Sequence, residues 1–319
     1  MQTSFFAKNI DYVLMIDRIK FYINDISDAD FDKIDSVCEF ISEGEDRYSD
    51  YKYEGKLKNL RVRYVGRRLY IEGSLHKYAK GNNYSLFTYK EAKEVIIELS
   101  KTLEIPLEAF IVSSIELGLN IQMDEIPQKY LETLGSYKDN RFIPMSPLKK
   151  TSKIKGYKCQ LSEYVIKFYD KSFEVIHSER IPKKDREKIP ENILRYEIAL
   201  SRKQLKNMGF KNVTGKNLQS GLHYSKFKKL LKRIFSDIIF KDFSINYSEL
   251  LQDDVKRYIF ALSDTYGYYM LYLKEYFGEK EYRKEKRRKN ALMEKIAPLK
   301  SDKFEIELKT KFELALSEV

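Results

Sequence analysis

Tyr169, Glu197 and Glu116 are the residues whose types and settings suit chemistry in this chain, and all three fall in runs that alternate apolar and polar residues. Two such runs, Tyr164 to Phe173 and Ile193 to Leu200, flank a charged connector whose Pro182 and Pro190 a regular strand does not tolerate. Successive strand side chains point to opposite faces, so Val165, Lys167 and Tyr169 share one face while Tyr164, Ile166, Phe168 and Asp170 share the other. On the second run Ile193, Arg195, Glu197 and Ala199 oppose Leu194, Tyr196 and Ile198. A tyrosine flanked by Lys167 and Lys171, beside a strand that carries a carboxylate, has the parts for metal-assisted phosphoryl transfer. Packing is the plainer alternative. With 25 tyrosines and 59 Lys plus Arg, lysines near a tyrosine arise by chance, and a half-buried strand tyrosine commonly packs its amphipathic ring.

Glu116 lies in a third run, Phe110 to Ile121. The spacing predicts Ile111, Ser113, Ile115, Leu117 and Leu119 on a core face, and Val112, Ser114, Glu116, Gly118 and Asn120 opposite, where small neighbours leave room to approach the carboxylate. A solvated strand residue is the alternative for Glu116.

The other elements must position these strands. A strand is expected over Asp11 to Ile23, a helix over Asp28 to Ser42, and a polar connector over Glu43 to Lys56. Leu60 to Val65 and Arg68 to Gly73 read as a hairpin turning at Gly66 and Arg67, and Gly81, Asn82 and Asn83 mark a loop. Tyr89 to Leu103 reads as a helix with a Thr88–Glu91 capping box. A short helix over Ile126 to Leu134 precedes a polar connector over residues 135–156, and a helix over Ser201 to Met208 stops at Gly209. From Leu222 the pattern is helical and basic, with Lys226, Lys228, Lys229, Lys232 and Arg233 around Phe227, Leu230, Leu231, Ile234 and Phe235. One aromatic-rich helix is expected over Asp253 to Phe277, followed by the charge run EKEYRKEKRRK. The expected fold is α+β: a mostly antiparallel central sheet with helices on one face over residues 1–215, then a basic helical region over residues 216–319.

A net charge of +11 and a pI near 9.2 favour an acidic partner, nucleic acid first, although a lysine-rich composition alone accounts for part of it. Cys38 and Cys159 stand far apart, with only His76, His177 and His223 to join them, so a zinc cluster or a disulfide framework is not expected. Lys8, Asp11, Asp17, Arg18 and Lys20 interrupt the amino-terminal apolar run, and no window approaches a membrane span, so a soluble cytoplasmic protein is expected.

Four segments in order, IEGSLHKYAKGNNYSLFT, IVSSIELGLNI, YVIKFYDKS and ILRYEIALSRKQLKNMGF, resemble the gene II/X replication proteins of filamentous phages and their plasmid-borne relatives, over roughly residues 60–210. The resemblance implies a rolling-circle replication initiator, a metal-dependent DNA nickase and strand transferase. Tyr169 in FYDK would be the nucleophile that forms a 5′-phosphotyrosine intermediate, assisted by Lys171. Glu116, Glu197 in RYE and His76 in SLHKY would hold Mg²⁺ or Mn²⁺. The chain departs from the wider histidine-hydrophobe-histidine nickases, since it has no such pair. Lys77, Lys167 and Arg195, together with Lys228, Lys229 and Lys232 on the basic helix, are the expected DNA contacts. Single-stranded or hairpin origin DNA is the implied partner; a host helicase and polymerase and a second copy of the chain are further candidates. Two alternatives stand beside this: a non-catalytic basic nucleic-acid-binding protein derived from the same family, and an interaction protein whose basic helices meet acidic partners.

Overall fold

Apolar-polar alternation builds most of a single sheet, and the computed structural model describes residues 14–45, 51–146, 153–178, 181, 183–241, 250–299 and 302–317. β1 (Met15–Ile23) buries Ile19, Phe21 and Ile23 and turns Lys20 and Tyr22 outward; residues 11–13 of the expected strand lie outside the described residues. α1 (Asp28–Val37) begins at a Ser27–Asp30 capping box and ends before the expected Ser42. Cys38 turns the backbone extended, and β2 (Glu39–Glu45) pairs with β3 (Tyr51–Leu57), so the expected connector is largely a hairpin. The apolar residues Phe40 and Tyr53 of these strands pack on Phe31 of α1, whereas Ile41, which continues the helical spacing in the sequence, is exposed.

β4 (Leu60–Val65) and β5 (Arg68–Ser74) form the expected hairpin, with Gly66 and Arg67 both at positive φ, as a two-residue turn of matching twist requires. The chain then enters α2 (Leu75–Lys80), capped by Ser74, and α3 (Tyr89–Thr102), opened by the Thr88–Glu91 box. β6 (Ile111–Gln122), α4 (Pro127–Leu131), β7 (Leu134–Tyr137), β8 (Asn140–Arg141), β9 (Ile143–Pro144) and β10 (Gly156–Gln160) follow. β11 (Tyr164–Asp170) stops three residues earlier than expected because α5 (Lys171–Ser178) starts there, with Asp170 Oδ1 accepting from the Phe173 amide. α6 (Lys183–Arg186), β12 (Ile193–Ser201), α7 (Arg202–Asn207), α8 (Gly215–Leu218), α9 (Gly221–Ser236) and β13 (Ile238–Phe240) complete the central part. The expected helix over Asp253 to Phe277 is two, α10 (Gln252–Leu262) and α11 (Thr265–Tyr276), because Ser263 is extended and Arg141 holds Leu262 O and Asp264 at the break. α12 (Gly278–Ile296) and α13 (Lys303–Ser317) end the described chain.

The sheet is antiparallel with ten strands in the order β2-β3-β4-β5-β1-β6-β12-β11-β10-β9, and β13, β7 and β8 make a small second sheet. The fold is α+β with a helical carboxy-terminal region, as expected. α3, α9 and α13 cover one face of the large sheet, where Phe168, Tyr196, Phe235 and Phe312 stack together; the Phe235 and Phe312 ring centroids lie 3.6 Å apart. This core runs through residue 215 without a break, since α9 and α13 share it with the strands, whereas α10, α11 and α12 hold two small clusters of their own. Among the described residues no helix is long and apolar enough to cross a membrane.

Phe312 is fully buried against rings of β12 and α9. Phe312→Ala is expected to destabilise the chain by roughly 3–5 kcal/mol, because the cavity lies between elements that cannot close over it. Urea denaturation with a shift in midpoint of less than about 1 kcal/mol equivalent would show that α13 is dispensable to the core.

Candidate active site

Strand register brings the candidate residues together. Lys167 pairs with Glu197, Glu197 with Gly118, and Tyr169 with both Arg195 and Gly156 across β10, β11, β12 and β6. All of them, with Glu116, lie on the face turned away from α9 and α13, because Phe168 and Tyr196 occupy the other. Two glycines make this possible. A Cβ on Gly156 would lie 2.3 Å from Tyr169 Cβ, and one on Gly118 would lie 2.8 Å from Tyr196 O and 3.1 Å from Glu197 Cγ. The expected face of β6 is corrected at Val112, which is buried in the core. A β-bulge leaves Phe21 opposite Val112 and Lys20 opposite Ser114, so the alternation slips by one residue at Ser113.

Arg195 is fully buried and organises the cluster. Its Nη1 donates to Asp17 Oδ2 at 2.7 Å and lies 3.3 Å from Glu197 Oε1, its Nε donates to Asn120 Oδ1 at 2.7 Å, and its Nη2 donates to the Asn83 carbonyl at 2.6 Å. Ser74 donates to the other Asp17 oxygen at 2.6 Å. Tyr169 donates its hydroxyl proton to Glu197 Oε1 at 2.8 Å, and Lys167 Nζ lies 3.1 Å from Glu116 and 3.5 Å from Glu197 Oε2. Burial, then the charge of Glu197, push the Tyr169 phenol well above its usual 10. Burial and the like charge of Glu197 also raise the Glu116 carboxyl, with Lys167 opposing. Burial alone would lower Lys167, but Glu197 and Glu116 outweigh it and hold the ammonium above the ordinary lysine range.

The remaining expected residues fall elsewhere. Lys171 is buried and donates to Glu174 at 2.7 Å; its ammonium lies 6.0 Å from the Tyr169 ring centre, not on the hydroxyl. Burial, then Arg195, lower its pKa. Arg195 is unavailable to a DNA phosphate, since its donors are directed at protein oxygens inside the fold. His76 does not join Glu116 and Glu197: it stacks on Phe87 with 4.7 Å between ring centres, its Nε2 meets Ser85, and its Nδ1 is buried without a partner among the described residues. Lys77 is half-buried on α2. Lys228, Lys229 and Lys232 lie on α9, which packs on the opposite face of the sheet, and Lys232 pairs with Glu313. A cleft of about 510 Å³ between α10, α11 and α12 is lined by none of the cluster residues.

Sequence reasoning missed Asp17 and Asn120 as members of the network. Asp17 stands in the apolar run MIDRI beside the β1 bulge, and an acidic residue inside a buried strand was the signal that could have found it. Among the described residues no three His, Cys, Asp or Glu side chains converge as a metal centre. The Glu116–Glu197 pair nevertheless fits an oxygen-liganded divalent cation, since two carboxylates already face one cation, Lys167. Comparison with known proteins gives no match, neither to a family model nor to a curated sequence.

Two stability outcomes follow from this geometry. Arg195→Leu leaves Asp17 and Glu197 buried without their partner, and a loss of roughly 3–5 kcal/mol in chemical denaturation is expected; a loss below about 1 kcal/mol would mean that water replaces the guanidinium. Burial, then Arg195 and Lys171, depress His76 from 6.5 to about 3, so below pH 6.5 the unfolded chain takes up a proton that the folded chain refuses. Its contribution is complete above the unfolded value and is progressively lost as the pH falls, at up to about 1.4 kcal/mol per unit. His76→Gln should flatten the decline in stability from roughly pH 6.5 to 5, and identical slopes for both proteins would refute a buried neutral imidazole.

Proposed function

We propose that this chain nicks and rejoins one strand of DNA in the manner of a rolling-circle replication initiator, with Tyr169 as the nucleophile. The observation that carries the reading is the 2.8 Å hydrogen bond from the Tyr169 hydroxyl to Glu197, inside a cluster that also holds Lys167 and Arg195. A phenol raised well above 10 needs a base in contact with it, and Glu197 is that base. As Glu197 takes the proton, the Tyr169 oxygen forms a bond to phosphorus and the bond from phosphorus to the 3′ oxygen breaks; the leaving oxygen takes up a proton. The products are a 5′-phosphotyrosine and a free 3′ hydroxyl, and the reverse attack rejoins the strand without an external energy source. Arg195 holds Glu197 and Asp17 in place, and Lys167, partly exposed between the two carboxylates, supplies positive charge on the open side. When Mg²⁺ or Mn²⁺ is supplied, Glu116 and Glu197 would hold it in the place of the Lys167 ammonium, and the ion would take over that positive charge and polarise the scissile phosphate.

A non-catalytic nucleic-acid-binding protein is the second reading, and the closed setting of Tyr169, 7% exposed, favours it. Incubation with a randomised single-stranded DNA library, labelled at the 5′ or 3′ end and supplied with Mn²⁺, separates the two. Wild type should form a covalent adduct that keeps the 3′ label, Tyr169→Phe should form none while retaining noncovalent binding, and Glu197→Gln should slow adduct formation by roughly 10²–10⁴-fold. A wild-type adduct mapped to Tyr164 or Tyr196, or an adduct formed by Tyr169→Phe, would sink the assignment.

A further inference from the structure

The face of the sheet opposite α3, α9 and α13 continues past the active-site cluster onto β1, β5 and β4, and there it is basic. Arg18 and Lys20 of β1, Arg61 and Arg63 of β4 and Arg68 of β5 point to it with one carboxylate, Glu72, so these three strands carry a surplus of four positive charges. Glu72 pairs with both Arg18 and Lys20 and cannot neutralise the two. Aromatic rings lie among the cations. Tyr22 and Tyr70 are directly opposite in the β1–β5 register, half-buried, on the same face. Arg63 sits 5.2 Å above the Tyr70 ring centre and Arg202 5.3 Å above that of Tyr22. Along β1, Tyr22, Lys20 and Arg18 follow one another at every second residue, about 7 Å apart, and Arg18 is the cross-strand neighbour of Glu116. The row therefore ends at the carboxylate pair.

We propose that this face binds single-stranded DNA, with unpaired bases stacked on Tyr22 and Tyr70 and phosphates on Arg63, Lys20 and Arg18, and leads the strand along β1 to the Glu116–Glu197 pair. The cations select a polyanion, and flat rings on an open sheet select unpaired bases, because base faces in a duplex are already stacked. Guanidinium groups over the rings add cation–π contacts and can move aside or sandwich a base. The assignment rests on reading the neighbouring cluster as a site for nucleic-acid chemistry, and it places the strand on the opposite face of the sheet from the lysines of α9.

Fluorescence anisotropy tests this with three probes of about 20 units, oligothymidylate, oligouridylate and a mixed-sequence DNA duplex, over a salt series. Every variant is built in Tyr169→Phe as well as wild type, so a failure of strand cleavage does not affect the binding readout. The Tyr22→Leu/Tyr70→Leu variant keeps apolar cover on the sheet and should lose roughly tenfold or more in affinity for oligothymidylate, whereas Tyr22→Phe/Tyr70→Phe should keep it. Arg63→Gln/Lys20→Gln should lower the salt slope by about 0.7 for each cation removed, while Lys228→Gln/Lys229→Gln should leave it unchanged. Circular dichroism and thermal melting establish that each variant is folded, and the Arg63→Gln/Lys20→Gln pair decides the matter if the leucine variant is not. Unchanged affinity and slope in folded variants, tighter binding of duplex than of single strand, or a tenfold preference for oligouridylate would each overturn the proposal.

Discussion

The end of the sheet that carries Tyr169, Glu197 and Glu116 depends on one buried cation. The Arg195 guanidinium reaches Asp17 on β1, Asn120 on β6, Glu197 on its own strand and the Asn83 carbonyl in the loop after α2. A charge held out of water must be surrounded by oriented acceptors or the fold loses several kcal/mol, so these four partners cannot shift independently. A one-residue slip of β12 would turn Arg195 and Glu197 into the apolar core and Tyr196 out of it, which makes the register of the three strands and the charge network mutually dependent.

That constraint fixes the arrangement of the cluster. Glu197 Oε1 accepts from Tyr169 and faces Arg195, and its Oε2 faces Lys167, so one carboxylate meets a phenol and two cations in fixed directions. Gly118 and Gly156 opposite Glu197 and Tyr169 keep the space that these side chains fill. In the proposed reaction a base held in this way would have little reorganisation left to do when charge develops on the attacking oxygen.

The sheet also divides the molecule's surface by character. One face is aromatic and closed beneath α9 and α13, and the other is polar and carries the cluster and the Tyr22–Tyr70 pair. The lysines of α9 belong to the outer side of a helix whose inner side, with Phe227, Leu231 and Phe235, seals the core. Their spacing along a helix shows that they share a surface. It does not show on which side of the sheet that surface lies.

Local periodicity was enough to place β6, β11 and β12, the Thr88–Glu91 cap, the β4–β5 hairpin and the division of Tyr169, Lys167, Glu197 and Arg195 from Phe168 and Tyr196, because a strand alternates its side chains whatever its neighbours. Local pattern failed where long-range pairing overrode it. β2 and β3 form because each finds the other and the aromatic side of α1, and the β1–β6 bulge moves Val112 into the core because register is set between strands and not within one. The partners of Arg195 could not be read in advance for the same reason: Asp17 and Asn83 lie far from it along the chain and meet it only when β1 inserts between β5 and β6. The chain by itself determined which side chains face the same way along an unbroken strand; the pairing and order of strands, a property of the whole sheet, decided where that alternation slips and which side chains touch.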